Sequence, residues 1–307
     1  MADCINVSTV AQSPKEHMTS VRILYLARYR VPHAAFAMQW DHNLQGIDHT
    51  VIATPMTQDE LEPVWEKYNI DSSKFVYVND SVIYKQYPEV NNWVFEDDYR
   101  GWWLRQQAIK LAYLDYLDFD IMLMHDADTF MTEPYHCVEQ GQLNMLALFN
   151  TTQGSYNGVF EAITGLPHQS PHCFVTELCA VRKTDFVQLR QHIEQRFPDK
   201  KWLDAIIDAV PGMPTVPPWG TGNIIKWFSE YELLGNWATH CGNIKYTEQR
   251  RFEYDSLNEI SNFVPKYNAV CDAVPDLSLS MQIDWDTLEI LKFDFYLEQV
   301  QQRVKSL

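Results

Sequence analysis

The sequence predicts an α/β protein with a mostly parallel central sheet flanked by helices. Three observations carry that prediction. Between residues 21 and 79 the chain alternates strand, helix, strand, helix, strand, the order of a doubly wound parallel sheet. Ile121-Met-Leu-Met124 is an apolar run with no room for a polar face, so it reads as a central strand buried on both sides. Asp126 and Asp128 follow that run directly, where ligands of open α/β sheets collect beyond the carboxyl ends of the strands.

Taken in order, Met1 to Ser20 is polar, has no apolar core of a signal peptide, and reads as a flexible leader to a single domain over 21–307. Val21 to Ala27 is the first strand, with Arg28 at its carboxyl end. Ala34 to Leu44 reads as a helix, Gly46 to Asp48 as a turn and His49 to Ala53 as the second strand. Thr57 opens a helix to Tyr68, with Glu60 at the capping-box spacing. Lys74 to Asn79 is the third strand. No Gly-x-Gly-x-x-Gly follows the first strand, which argues against a dinucleotide-binding enzyme.

Tyr84 to Asn92 reads as a loop and Tyr99 to Ala112 as a helix leading into the central strand. On that helix Gln107 and Lys110, three residues apart, share a face, which reads either as a solvated edge or as ligand-facing. Leu143 to Phe149 is a strand, Asn150 to Gly158 a polar loop, and Cys173 to Val181 a strand carrying Glu177. Lys183 to Arg196 and Lys201 to Val210 are helical. Pro211 to Pro218 is a rigid connector. Gly222 to Leu234 reads as a helix bearing Ser229-Glu-Tyr231, His240 lies within Trp237 to Lys245, and Trp285 to Val304 closes the chain as a helix.

Composition narrows the function. Twenty-four basic against 41 acidic side chains give a net charge of −17, which opposes phosphate-tracking nucleic-acid binding and attraction to anionic membranes. Six scattered cysteines form no Cys-x-x-Cys pair, so reduced thiols in a cytoplasmic protein are the simpler reading than a zinc cluster or a disulfide framework. No run approaches a membrane span. Asp126 and Asp128 can face one ligand and offer hard oxygens to Mg²⁺ or Mn²⁺.

The ordered set Gly101-Trp-x-x-x-Gln-Gln-x-x-Lys-Leu111, His125-Asp-Ala-Asp-Thr129 and Ser229-Glu-Tyr231 resembles GT-A-fold glycosyltransferases, and within them a set of bacterial and phage proteins assigned to that fold. The resemblance runs from about Val21 to Lys245. It implies a nucleotide-sugar donor, UDP-sugar first, bound in a half spanning 21–135, with the acceptor taken by 136–307. It also implies a divalent metal that neutralises the diphosphate leaving group. Asp128 would be the direct ligand, Asp126 would sit nearer the ribose or share the metal, and His240 would be a further ligand. Arg28, Arg105 and Lys110, with Gln107 nearby, are candidates for the phosphates. Glu230, among Trp227, Phe228 and Tyr231, and Glu177 are the candidates for the catalytic carboxylate. The acceptor stays open between a glycan, a small molecule and a modified nucleic acid. Rival readings are a phage-type glucosyltransferase acting on modified DNA bases, a non-catalytic sugar- or nucleotide-binding module, and a metal-dependent phosphotransferase or nuclease.

Overall fold

The computed structural model describes residues 20–26, 44–67, 72–92, 99–126, 129–131, 135–148, 154–176, 178–209, 228–248, 250–254 and 279–283. The expected leader apart from Ser20, the Pro211 to Pro218 connector and the helix over Trp285 to Val304 lie outside these residues, and so do Arg28, Asp128 and Glu177. The helix expected over Ala34 to Leu44 also lies outside them, save Leu44, which is strand.

The main sheet holds β1 (Val21–Leu26), β3 (His49–Thr54), β4 (Phe75–Asn79), β5 (Ile121–Asp126) and β10 (Leu178–Arg182), in the spatial order β10-β5-β1-β3-β4. β1, β3, β4 and β5 run parallel, and β10 runs antiparallel beside β5. β1 is central: Leu24 meets Val51 on one side and Met124 on the other. The chain builds outward from β1 through β3 to β4 and then crosses to place β5 on the opposite side. The direction of winding therefore reverses between β1 and β5. In open sheets the ligand crevice opens at that point, beyond the carboxyl ends. Leu26 and Asp126 are the register pair that ends there.

Three smaller ladders complete the strands. β2 (Leu44–Gln45) pairs with β7 (Tyr135–His136), and β9 (Gln142–Ala147) lies between β8 (Val138–Glu139) and β11 (Ile244–Glu248). β6 (Thr129–Met131) leaves the main sheet to pair with β13 (Leu279–Ile283), which also pairs with β12 (Arg250–Tyr254).

Helix α1 (Gln58–Lys67) starts on the expected capping box: Thr57 N–H donates to Glu60 Oε2 at 2.7 Å and Glu60 N–H to Thr57 Oγ1 at 3.4 Å. The segment expected as a loop from Tyr84 is partly helical, with α2 (Ser81–Gln86) followed by a 3₁₀ turn over Pro88–Asn92. Burial of Ile83, Tyr87 and Val90 supplies the spaced apolar contacts that the polar composition hid. α3 (Tyr99–Tyr116) leads into β5. Its last carbonyls, which have no partner within the helix, accept from Lys183 Nζ: Leu114 O at 2.6 Å, Asp115 O at 3.2 Å and, just beyond, Leu117 O at 2.9 Å.

α4 (Gly154–Thr164) replaces the expected loop from Asn150, because Val159, Phe160 and Ile163 give it a buried face after a polar start. The expected strand from Cys173 forms only over β10. Cys173 itself makes a single bridge to Leu148. α5 (Lys183–Arg196) and α6 (Trp202–Ala209) fall where expected. α7 (Glu230–Cys241) begins later than the expected Gly222, and the Trp237 to His240 stretch belongs to it. Ser229 stops the helix from starting earlier: its backbone is extended and its hydroxyl accepts from Glu232 N–H at 3.3 Å, an N-cap. α3, α5 and α7 pack on one another. Among the described residues no helix is long and apolar enough to cross a membrane.

Candidate functional site

Successive side chains of a strand point to opposite faces, so His125 and Asp126 part at the end of β5. His125 turns to the face where Tyr25 of β1 lies beside it, ring centroids 5.0 Å apart. Its Nδ1 lies 2.7 Å from the Asp126 carbonyl oxygen. Burial pushes the imidazole down to about 4, so it is neutral at physiological pH.

Asp126 turns to the face of α3 and α7. There Lys110 Nζ donates to Asp126 Oδ1 at 2.7 Å and to Tyr231 Oη at 3.0 Å, and stands 2.8 Å from Glu230 Oε1. Tyr231 Oη donates to the same Asp126 Oδ1 at 3.1 Å. The ammonium also sits 4.3 Å from the centre of the Tyr231 ring, within cation–π range. Gln107, one turn before Lys110, accepts the Glu230 N–H on Oε1 at 3.0 Å and so satisfies a donor that the start of α7 leaves open. The face shared by Gln107 and Lys110 is buried, so it is not a solvated edge. Lys110 is 5% exposed and Glu230 3%.

This arrangement sets the charges. Burial opposes an ammonium at Lys110, yet the Asp126 and Glu230 carboxylates outweigh it and hold the lysine well above its ordinary range. Burial pushes Glu230 up, with Lys110 pulling the other way. Lys110 has three N–H donors, and Asp126, Glu230 and Tyr231 take all three. The residue expected on the donor's phosphates is thus engaged by Asp126, Glu230 and Tyr231. Glu230, expected on the acceptor side, faces inward to Lys110.

Two further candidates lie away from this cluster. Arg105 Nη2 donates to Asn91 Oδ1 at 2.6 Å, and its guanidinium stands over the Tyr84 ring at 4.9 Å, so it reaches towards the segment before α3. His240 was expected on the metal with Asp126. It stands in the last turn of the 12-residue α7, about 15 Å along the axis from Glu230, exposed and beside the Trp237 ring at 5.3 Å. The structure does not bring it to Asp126, because a helix of this length separates its ends.

Asp126 supplies a hard carboxylate oxygen at the switch point, the donor type that Mg²⁺ and Mn²⁺ take. Among the described residues no three His, Cys, Asp or Glu side chains converge as a protein cage. A lone carboxylate is compatible with Mg²⁺, which is commonly held by one or two carboxylates together with substrate phosphates and water. Asp128, the second expected ligand, is outside the described residues.

No protein-family model and no curated protein sequence matches the chain. Among solved structures it is similar to galactosyltransferase LgtC in complex with donor and acceptor sugar analogues, at 10% identity and a TM-score of 0.46 over 91% of this chain and 95% of that one. It is also similar to an active-site mutant of LgtC, at 12% identity and a TM-score of 0.41 over 80% of this chain and 77% of that one. A third similar structure is mouse xyloside xylosyltransferase 1, apo form, at 9% identity and a TM-score of 0.44 over 88% of this chain and 99% of that one. These identities and scores describe a distant likeness of chain path.

Two polar residues of the site region carried no signal strong enough to single them out. In the sequence Tyr231 reads only as a motif member and an aromatic neighbour of Glu230. Glu232 is buried too: its Oε1 accepts the Phe174 N–H at 2.8 Å and its Oε2 accepts Asn236 Nδ2 at 3.0 Å. From Glu230 to Ala238 every residue of α7 is buried, so no polar stripe marks an inward face.

Proposed function

We propose that this chain transfers a sugar from a nucleotide-diphosphate sugar, UDP-sugar as first choice, to an acceptor hydroxyl. The observation that carries the reading is Asp126, a fixed carboxylate at the end of β5 where the winding of the sheet reverses. The ordered sequence motifs around it point the same way. A divalent cation held by Asp126 and Asp128, when bound, would neutralise charge that grows on the departing diphosphate. Lys110 and Tyr231 hold the Asp126 carboxylate in one orientation from the interior. Arg28, two residues beyond β1, is the cation we assign to the phosphate side. The acceptor class stays open between a glycan, a small molecule and a modified nucleic acid, and the net charge of −17 favours the first two.

The test is a thermal-shift screen of UDP-, GDP-, CMP- and TDP-sugars with and without Mn²⁺. A ligand at a hundred times its Kd stabilises the native state by about 2.7 kcal/mol. The expected result is a Tm rise with a UDP-sugar only when Mn²⁺ is present, abolished by Asp128→Ala with the fold intact. Equal binding of nucleotide by that variant in Mn²⁺ refutes the metal assignment.

A further inference from the structure

We infer that Glu230 and Tyr231 are positioning residues for Asp126, acting through and beside Lys110; this rests on the donor-site reading above. The inference comes from which atoms meet. Asp126 Oδ1 receives two donors, Lys110 Nζ at 2.7 Å and Tyr231 Oη at 3.1 Å, so the plane of the carboxylate is set by α3 and α7 together. Lys110 in turn is held from its other side by Glu230 Oε1 at 2.8 Å. A lysine stem has four rotatable carbons and no preferred geometry of its own, so a single carboxylate partner would leave its head free to swing. A second carboxylate opposite the first fixes it. The backbone of Glu230 is pinned as well, through its N–H to Gln107 Oε1 at 3.0 Å on the same face of α3 as Lys110. The buried unit therefore ties two helices to one ligand atom, and neither Glu230 nor Tyr231 needs to touch substrate.

The same arrangement explains why one cation is matched with two carboxylates. A dication held by Asp126 would weaken the attraction between Asp126 and Lys110, and Glu230 would keep the ammonium in place. Partners of this kind behind a metal ligand are worth about 10- to 100-fold in metal affinity when removed.

The experiment is calorimetric titration of UDP into the full chain, with and without Mn²⁺, for the parent, Tyr231→Phe and Glu230→Gln. Tyr231→Phe removes one hydroxyl and keeps the ring, so it guards against loss of the fold, and urea denaturation of each protein checks this. Each variant is expected to bind UDP about 10-fold more weakly than the parent at limiting Mn²⁺, with the difference closing as Mn²⁺ is raised to saturation. A parent that binds Mn²⁺–UDP and variants that bind it equally well overturn the positioning role alone. Variants whose weaker UDP binding persists at saturating Mn²⁺ also overturn it, since that marks a general structural loss. A parent that takes up UDP with no dependence on Mn²⁺ overturns the donor-site reading, and this inference with it.

Discussion

The ring of Phe174 occupies the space where a side chain on Gly235 would stand. A Cβ built on Gly235 would lie 2.2 Å from Phe174 Cγ, with two more ring carbons inside 3.0 Å. Phe174 is buried, and its backbone N–H is held by Glu232 one turn earlier in α7. Glycine here costs the helix about 1 kcal/mol in propensity relative to alanine, and what it permits is close approach of the ring.

Gly235→Ala therefore sets a propensity gain of about 1 kcal/mol against overpacking that typically costs about 1–3 kcal/mol. Three contacts this short onto an immobilised ring make the clash the larger effect. Net destabilisation is expected in urea denaturation. Phe174→Leu in the Gly235→Ala background should recover part of it, and additive losses in the double variant would show that the ring is not the obstacle.

Lys110→Met leaves Asp126 and Glu230 facing each other without their cation. Breaking a buried ion pair by removing one partner costs about 3–5 kcal/mol. The urea midpoint should fall accordingly, and adding Glu230→Gln should restore part of the loss because one of the stranded charges goes with it. A loss below about 1 kcal/mol, the size of an exposed pair, would contradict the buried geometry.

His125 gives a definite pH dependence. Burial lowers its folded-state value to about 4 from an ordinary 6.5. Below 6.5 the unfolded chain takes up a proton that the folded chain does not, so stability is full above that pH and is lost as the pH falls from 6.5 through 4. The loss attributable to this residue is on the order of 3 kcal/mol. Chemical denaturation of the parent and of His125→Phe at pH 7 and pH 4.5 measures it: the variant should lose less between the two, and parallel losses would remove His125 from the explanation.

Lys183→Met deprives three carbonyls at the end of α3 of one ammonium. Hydrogen bonds to charged groups contribute about 1.5–3 kcal/mol, and the position is half-buried, so the lower figure is expected. Amide hydrogen exchange should speed up over the last turn of α3 before it does in β5. Uniform acceleration across both would mean that the lysine supports the whole domain instead of one helix end.

His240→Ala should leave the Mn²⁺ concentration for half-maximal UDP binding unchanged, because α7 carries His240 away from Asp126. A several-fold rise would mean that the carboxyl end of α7 reaches the cleft after all.

The sheet was legible because burial on both faces writes itself plainly: Ile121 to Met124 and Val21 to Leu26 have little else they could be. The Thr57 and Glu60 capping box was legible because it is a local pairing of side chain and backbone. Asp126 could be placed at the carboxyl end of its strand from the sequence alone. What the sequence hid was the interior polar unit. Lys110 and Glu230 are 120 positions apart in the chain, and a charged residue on a helix reads as solvated until its partner is known. The start of α7 was missed for a related reason. From Glu230 to Ala238 its helix is buried all round, so the apolar stripe that usually marks an inner face is absent there, and Ser229 alone signals the boundary.

The position of β1 between β3 and β5 has a consequence for how the chain acquires its shape during synthesis. Leu24 can pair with Val51 early, but its other neighbour, Met124, emerges roughly 70 residues later, on the order of 4–15 s at ribosomal speeds. Closing the longer loop costs only about 1 kcal/mol more than the shorter one, so the delay is one of supply and not of energy. Until β5 arrives, β1 is the apolar, unpaired edge of the nascent sheet, and β5 both covers that edge and delivers Asp126.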